Sequence, residues 1–263
     1  MGSTVDIPFE RMLLLYALML IPLGLFYREQ LGLIKETCVA LLRMTAQLLL
    51  VGFYLFYVFH WNSIFYTSLW VAIMLLSANL AILKKSGLRR QVFFKSTMMS
   101  IALSTCGVSF FALFVVIQPS PPYDARYIIP IVGMLLGNTL RSNIVSLERF
   151  YSSVRDHRDT HLVKLMLGAE LSEAVAVHFK EALRAAIRPT LATMATVGVV
   201  SLPGMMTGQI LGGGEPLIAA KYQIAIMIQI FVVMVLSSYL NIRMSLKNAF
   251  DEYGNLKEEI WLE

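Results

Sequence analysis

Residues 148–189 read ERFYSSVRDHRDTHLVKLMLGAELSEAVAVHFKEALRAAIRP, a long polar interval between two strongly apolar regions, and the rest of the chain is arranged around it. It carries charges of both signs and a Gly168-Ala169 break in its middle. Beyond the break, Leu171, Val175, His178 and Ala182 recur on one helical face, while Glu173, Lys180, Glu181 and Arg184 lie elsewhere. The pattern predicts helix, sharp turn, helix. Gly168 is suited to end the first helix because glycine enters the left-handed conformation freely, and Ser172 is the expected N-cap of the second. Such an interval is either an ordinary loop on a membrane surface or a docking element through which a partner moves the membrane part. The flanking segments decide between these.

Those segments are apolar enough to exclude a soluble domain. Of 263 residues, 57% are hydrophobic and only 15% charged, and the mean hydropathy is +0.67; the composition is that of an all-α polytopic membrane protein. A net charge of +5 would ordinarily raise the question of nucleic acid. In a membrane protein it instead reflects basic residues gathered in loops, and no nucleic-acid partner is expected. Cys38 and Cys106 lie in apolar runs with no CxxC spacing, so neither a disulfide framework nor a zinc site is expected. The N-terminus shows no basic region ahead of an apolar core and small-residue cleavage site.

Seven apolar segments can be marked, at about 12–27, 38–60, 63–83, 96–117, 127–146, 190–211 and 217–242. Most have the roughly 17–25 residues that a helix needs to cross a bilayer. Pro22 is expected to kink the first. Pro203-Gly204 interrupts the sixth, which predicts a broken helix at Ser201–Gly208 lining a substrate route, because freed backbone groups are tolerated at membrane depth only when packed in protein or facing a watery cavity. With the N-terminus outside, 18 basic residues fall on the inner side and only Arg11, Arg126 and Lys221 on or near the outer. The positive-inside rule therefore predicts an external N-terminus, a cytoplasmic C-terminus and a cytoplasmic segment at 149–188 within a single transmembrane domain spanning 1–263. The acidic tail from Asp251 reads as a short cytoplasmic amphipathic end with no chemistry to assign.

Polar side chains inside hydrocarbon need a partner or a purpose. Arg43 and Gln47 share a face of the second span. Asn138, Arg141 and Asn143 cluster in the inner half of the fifth, where Arg141 is placed to snorkel, and Gly133-x-x-x-Gly137 is suited to close helix packing. His157 and His161, four apart in a charged stretch, read as solvated. Met205 and Met206 beside the break are packing residues or soft thioether contacts for a metal. There is no GxSxG, HExxH or GxxxxGK[ST] motif, and the spans hold essentially no Asp or Glu. Catalysis on this chain, proton or sodium coupling through a membrane carboxylate, and ATP binding by this chain are thus all disfavoured.

Several stretches together resemble the FetB-like permease family, also called uncharacterised protein family 14, which includes a bacterial iron exporter component and plant aluminium-tolerance proteins. They are Arg43-x-x-x-Gln47 followed by Val51-Gly52; residues 129–134 (IPIVGM) with Gly137-Asn138; Leu167-Gly168-Ala169; Thr196-Val197-Gly198; residues 201–208 (SLPGMMTG), the most specific; and residues 220–224 (AKYQI). The chain departs from the family pattern at residues 192–195 (ATMA), where relatives commonly carry Asp-Ser-x-Lys. The resemblance implies the membrane subunit of an ATP-binding cassette transporter in the bacterial inner membrane, a homodimer working with two copies of a separate ATPase that binds ATP and Mg, and exporting a metal ion such as iron. It further implies that Leu165, Leu167, Gly168, Ala169 and Glu173 couple to the ATPase. The translocation route would then draw on Arg43, Gln47, Asn138, Ser201, Pro203, Gly204, Met205 and Met206. The alternative is a non-transport membrane scaffold or sensor that binds a cytoplasmic partner through residues 149–188.

Overall fold

A computed structural model describes residues 6–261. The architecture is helical throughout: α1 (Phe9–Leu18), α2 (Leu20–Arg28), α3 (Ile34–Trp61), α4 (Ile64–Lys85), α5 (Arg90–Phe111), α6 (Ala125–Asp156), α7 (Arg158–Met166), α8 (Leu171–Ala174), α9 (Ala176–Thr196), α10 (Gly204–Leu211) and α11 (Pro216–Ala249). A π-helical turn, Ala112–Ile117, carries α5 onward. Among the described residues, six helical stretches are long and apolar enough to span a bilayer: Phe9–Arg28, α3, α4, Arg90–Ile117, α6 and α11. The seventh expected segment is instead the end of α9 plus α10, separated by a loop at 197–203.

The first span bends three residues before Pro22. Helix α1 ends at Leu18 and α2 begins at Leu20, as expected when a proline ring crowds the carbonyl four residues earlier. Helices α1 to α3 bury almost nothing among themselves; only the far end of α3 packs on the body, where Val58 joins Ala125 and Ile129. The body is α4, α5, α6, α9 and α11. Gly133 lets α4 close on α6, since a Cβ there would meet Met74 Cε at 3.1 Å, whereas the site at Gly137 is open.

A polar seam fastens α5, α6 and α11 inside the apolar body. Asn241 Nδ2 donates to Asn143 Oδ1 at 2.7 Å, Asn143 Nδ2 donates to Ser237 Oγ at 2.8 Å, and Thr97 Oγ1 donates to Asn241 Oδ1 at 3.1 Å. One and two turns further on, Tyr151 donates to Ser245 Oγ at 2.6 Å, and Asn248 Nδ2 donates to Ser96 Oγ at 3.1 Å. Asn143 and Asn241 are both fully buried. The matched spacing shows α6 and α11 running parallel, with α9 and α10 returning between them.

Pairings at the helix ends sort the loops into two groups. Asn62 Oδ1 accepts from Ala125 N–H at 3.1 Å, so the α3–α4 turn sits beside the start of α6. At the opposite end, Arg89 N–H donates to Ile260 O at 2.7 Å, joining the α4–α5 turn to the tail. Helices α6 and α9 meet at that same end, where Ser153 Oγ and His178 Nδ1 are 2.7 Å apart. Burial, then the neighbouring charges of Lys164 and His157, hold the His178 imidazole below its ordinary pKa.

Two expectations follow. Asn143→Ala and Asn241→Ala should each cost about 1–2 kcal/mol, and a double-mutant cycle on thermal unfolding in detergent should return a coupling of order 1 kcal/mol; a coupling of zero would mean the seam is incidental. For His178, the folded state binds its proton more weakly than the unfolded chain. Its contribution to stability is therefore complete above about pH 6.5 and declines as the pH falls from there through the lower folded value. Melting temperature should drop on acidification across that window, and the drop should shrink in His178→Gln.

Candidate functional site

Two regions hold the residues singled out above. The first is the tip of the polar end. Helix α6 does not stop at the membrane but runs to Asp156, where His157 leaves helical geometry and α7 begins. Helix α7 closes through a left-handed Gly168, φ +89°, with Gly168 N–H donating to Leu165 O at 3.0 Å and Ala169 N–H to Lys164 O at 3.1 Å. This is the paired bonding expected of a glycine just past a helix end. The cap of the next helix differs from expectation: it is Glu170, whose N–H donates to Glu173 Oε2 at 3.0 Å, and Ser172 lies one position inside. The extended backbone at residue 170 and a carboxylate three residues on form the bond pair that a serine at 172 is misplaced to make.

Met166 and Leu167 are 85% and 82% exposed at this turn. Leu165, by contrast, turns inward against the tail, 3.2 Å from where a Cβ on Gly254 would stand. Leu171, Val175, His178 and Ala182 face the body.

The tail is a brace rather than a loose end. After α11 it turns at Asp251, whose Oδ1 accepts from Asn255 N–H at 2.7 Å and from Tyr253 N–H at 2.9 Å; these bonds hold its carboxyl below the usual range. Gly254 O then accepts from His161 Nε2 at 2.8 Å, and Trp261 lies 4.4 Å beneath the Arg155 guanidinium. His161 is only 2% exposed, which corrects the expectation that it is solvated; the tail covers it. His157 is exposed as expected.

The second region is the broken crossing. The break lies at Val197–Pro203, ahead of the expected Ser201–Gly208, and Gly204 to Gly208 are helical. Gly198 takes φ +91°, its N–H donates to Ser201 O at 2.9 Å, and Pro203 in an extended conformation precedes α10 as its N-cap. Proline at a helix start loses nothing, because no carbonyl there awaits its N–H; the stop is made upstream, where Val197 turns extended, and the left-handed Gly198 then folds the loop. Val199 is 94% exposed at the turn.

Two cavities flank α10. The inner, of 230 Å3, is lined by Asn138, Thr190, Thr193, Pro203, Gly204 and Met205, together with Met134, Gln223 and Met227. The outer, of 380 Å3, is lined by Asp124, Tyr127, Pro130, Gln209 and Tyr222, and again Met205, which stands between the two. Gln223 Oε1 and Gln209 Oε1 are buried without hydrogen bonds. Thus Asn138, Pro203, Gly204 and Met205 come together, while Ser201 is exposed in the loop and Met206 lines neither cavity. Arg43 and Gln47 lie elsewhere, on an open groove of α3 shared with Lys35, Glu36 and Lys85. Asn143 belongs to the seam and Arg141 is exposed. Gln223, Met134 and Met227 were not singled out as site residues from the sequence; AKYQI carries Gln223, and IPIVGM carries Met134, only as parts of motifs. Among the described residues no group of three or more His, Cys, Asp or Glu could hold a metal ion.

The family model "Uncharacterised protein family (UPF0014)" matches residues 9–250. A UPF0014 membrane protein of Synechocystis is 38% identical over 196 residues, 74% of this chain and 76% of that one. "Probable iron export permease protein FetB" of Escherichia coli is 31% identical over 217 residues, 82% of each chain. "Protein ALUMINUM SENSITIVE 3" of Arabidopsis thaliana is 30% identical over 203 residues, 77% of this chain and 73% of that one. No solved structure matches. A family match over nearly the whole chain, on a body of apolar helices long enough to span a bilayer, establishes that this is a multi-pass membrane protein belonging to uncharacterised protein family UPF0014.

Proposed function

We propose that this chain is the permease subunit of an ATP-binding cassette transporter, a homodimer in a bacterial inner membrane that exports a metal ion using two copies of a separate ATPase, which supplies ATP and Mg chemistry. The observation that carries the proposal is the tip at Met166 and Leu167: two large apolar side chains held out, at 85% and 82% exposure, from the most polar part of the chain. An apolar point in water is costly unless a partner covers it. Everything behind it is fixed, by the Gly168 turn on one side and the tail on the other, so a force applied there is not dissipated locally. The E. coli relative named as a probable iron export permease supports the transport class.

The broken crossing supports the dimer. Residues 199–202 are non-helical backbone in the middle of the apolar run 190–211 and are exposed in the single chain. Lipid cannot satisfy such backbone, and a second copy can cover it. The clustering of 18 basic residues at the end bearing the tip supports a cytoplasmic location for residues 149–188.

Gly168→Val tests the coupling role. The site has open space for a side chain, so the cost is the left-handed backbone alone, about 1–2 kcal/mol; the expected outcome is a folded protein that has lost co-purification with its ATPase and transport in vesicles. Unchanged values for both would defeat the assignment. Orientation is tested by impermeant thiol labelling in a background lacking Cys38 and Cys106. Ser120→Cys should label in intact cells, and Ser172→Cys, also exposed, only after the membrane is opened. The reverse pattern would place the tip on the wrong side for any cytoplasmic ATPase.

A further inference from the structure

The inner cavity carries a donor set that narrows what can rest in it. Met134 of α6, Met205 of α10 and Met227 of α11 line the same 230 Å3 space, so three different helices each contribute one thioether. Gln223, 7% exposed, lines it as well, and its Oε1 is buried without a hydrogen bond. An unpaired buried carbonyl oxygen costs free energy unless something supplies positive charge or a donor to it. Thr193 and Thr190 do not: Thr193 Oγ1 donates to Pro189 O at 3.0 Å and Thr190 Oγ1 to Met234 Sδ at 3.1 Å. Asn138 Nδ2 is likewise engaged, on Met134 O at 2.9 Å.

No Asp, Glu, Lys, Arg or His lines this cavity. A cation resting there would keep its whole charge, because every donor is neutral, and the cost of holding a charge in low-dielectric surroundings rises with the square of that charge. Helix α10 also begins at the cavity, with Pro203 as its cap and Gly204 as its first residue. Its positive end weighs further against a multiply charged ion. What overcomes both terms is a strong bond to sulfur, and thioether sulfur is a soft donor that selects soft ions over hard ones. We propose that the cavity between α6, α9, α10 and α11 is a binding site for a soft monovalent cation, Cu(I) or Ag(I) in chemical type, ligated by Met134, Met205 and Met227 with Gln223 Oε1 as an oxygen contact. That the ion is cargo rests on the transporter proposal; that it binds does not. Met205, which lines the outer cavity too, would be the thioether that passes the ion outward.

The test is Cu(I) binding to the purified chain in detergent, under reducing conditions, by competition with a chromophoric Cu(I) chelator, with Ag(I), Fe(II) and Al(III) as further probes. The expected result is about one Cu(I) per chain. Met134→Leu, Met205→Leu and Met227→Leu should each weaken binding by roughly 10–100-fold, in the range that metal-site substitutions produce, and the triple variant should abolish it. Met99→Leu, on an exposed face of α5, should change nothing. Leucine keeps volume and apolarity, so melting temperature reports whether a variant is folded, and sulfur scattering in the Cu absorption spectrum of the parent chain reports ligation directly. Equal Cu(I) affinity in a folded triple variant, or a preference for Al(III) or Fe(II) over Cu(I), overturns the proposal. Failure to co-purify an ATPase, with Cu(I) binding intact, would defeat the transporter proposal alone.

Discussion

The hydrogen bond between Asn241 and Asn143, 2.7 Å long and fully buried, is the contact on which the body of this protein depends. Lipid tails are as apolar as leucine, so no hydrophobic force draws one membrane helix to another; association comes from close packing and from polar groups with nowhere else to go. Each asparagine side chain offers two donors and an accepting oxygen, and here they interlock with Thr97 and Ser237 to tie α5, α6 and α11 into one block. The contrast within the same chain is informative. Helices α1 to α3 carry little of this kind against the body, apart from one end of α3, and they bury almost nothing.

Fixing α6 and α11 in parallel determines what lies between them. The chain must return across the membrane through α9 and α10, and it does so without a continuous helix. At the break the backbone turns on Gly198 and restarts after Pro203, and beside the restart lie the two cavities whose walls include the unpaired amide oxygens of Gln223 and Gln209. The seam asparagines satisfy one another. Unpaired buried polar atoms occur elsewhere in the body too, Asn79 Oδ1 and Gln229 Oε1 among them, but Gln223 and Gln209 are the ones that line the cavities beside α10, and an unsatisfied polar group facing a cavity is where binding chemistry is to be sought.

Much of this was legible in sequence because lipid leaves few solutions. A run of about 20 apolar residues has to be a helix, and a polar interval bounded by two such runs has to lie outside the bilayer. Gly168 could be identified because the left-handed residue that ends a helix is most often glycine. The position of the break was misplaced for a related reason: Pro203-Gly204 is the louder signal, yet proline is at home at a helix start, and α9 has already ended where Val197 turns extended. Local reasoning had no access to the tail. His161 meets Gly254 across a separation of 93 positions, and nothing in a charged i, i+4 pair announces that one member is covered. The same limit hid the meeting of Met134 on α6 with Gln223 and Met227, one turn apart on α11, until the fold brings them to one cavity.

The two candidate regions are joined by a single element. Helix α9 runs through 21 residues with Pro189 in its interior, about 30 Å at 1.5 Å per residue, from the base of the exposed tip to Thr190 and Thr193 on the cavity wall. Its first half is anchored to α6 by the Ser153–His178 contact. Beyond Thr196 stiffness ends, for the loop at 197–203 carries only short-range bonds among its own residues and the last turn of α9. Proline has no N–H to give, so Pro189 removes one helical bond just before Thr190, and α9 has two soft points, Pro189 and the loop at 197–203. Both lie against the cavity that Met205 lines, the first through Thr190 and the second through Pro203.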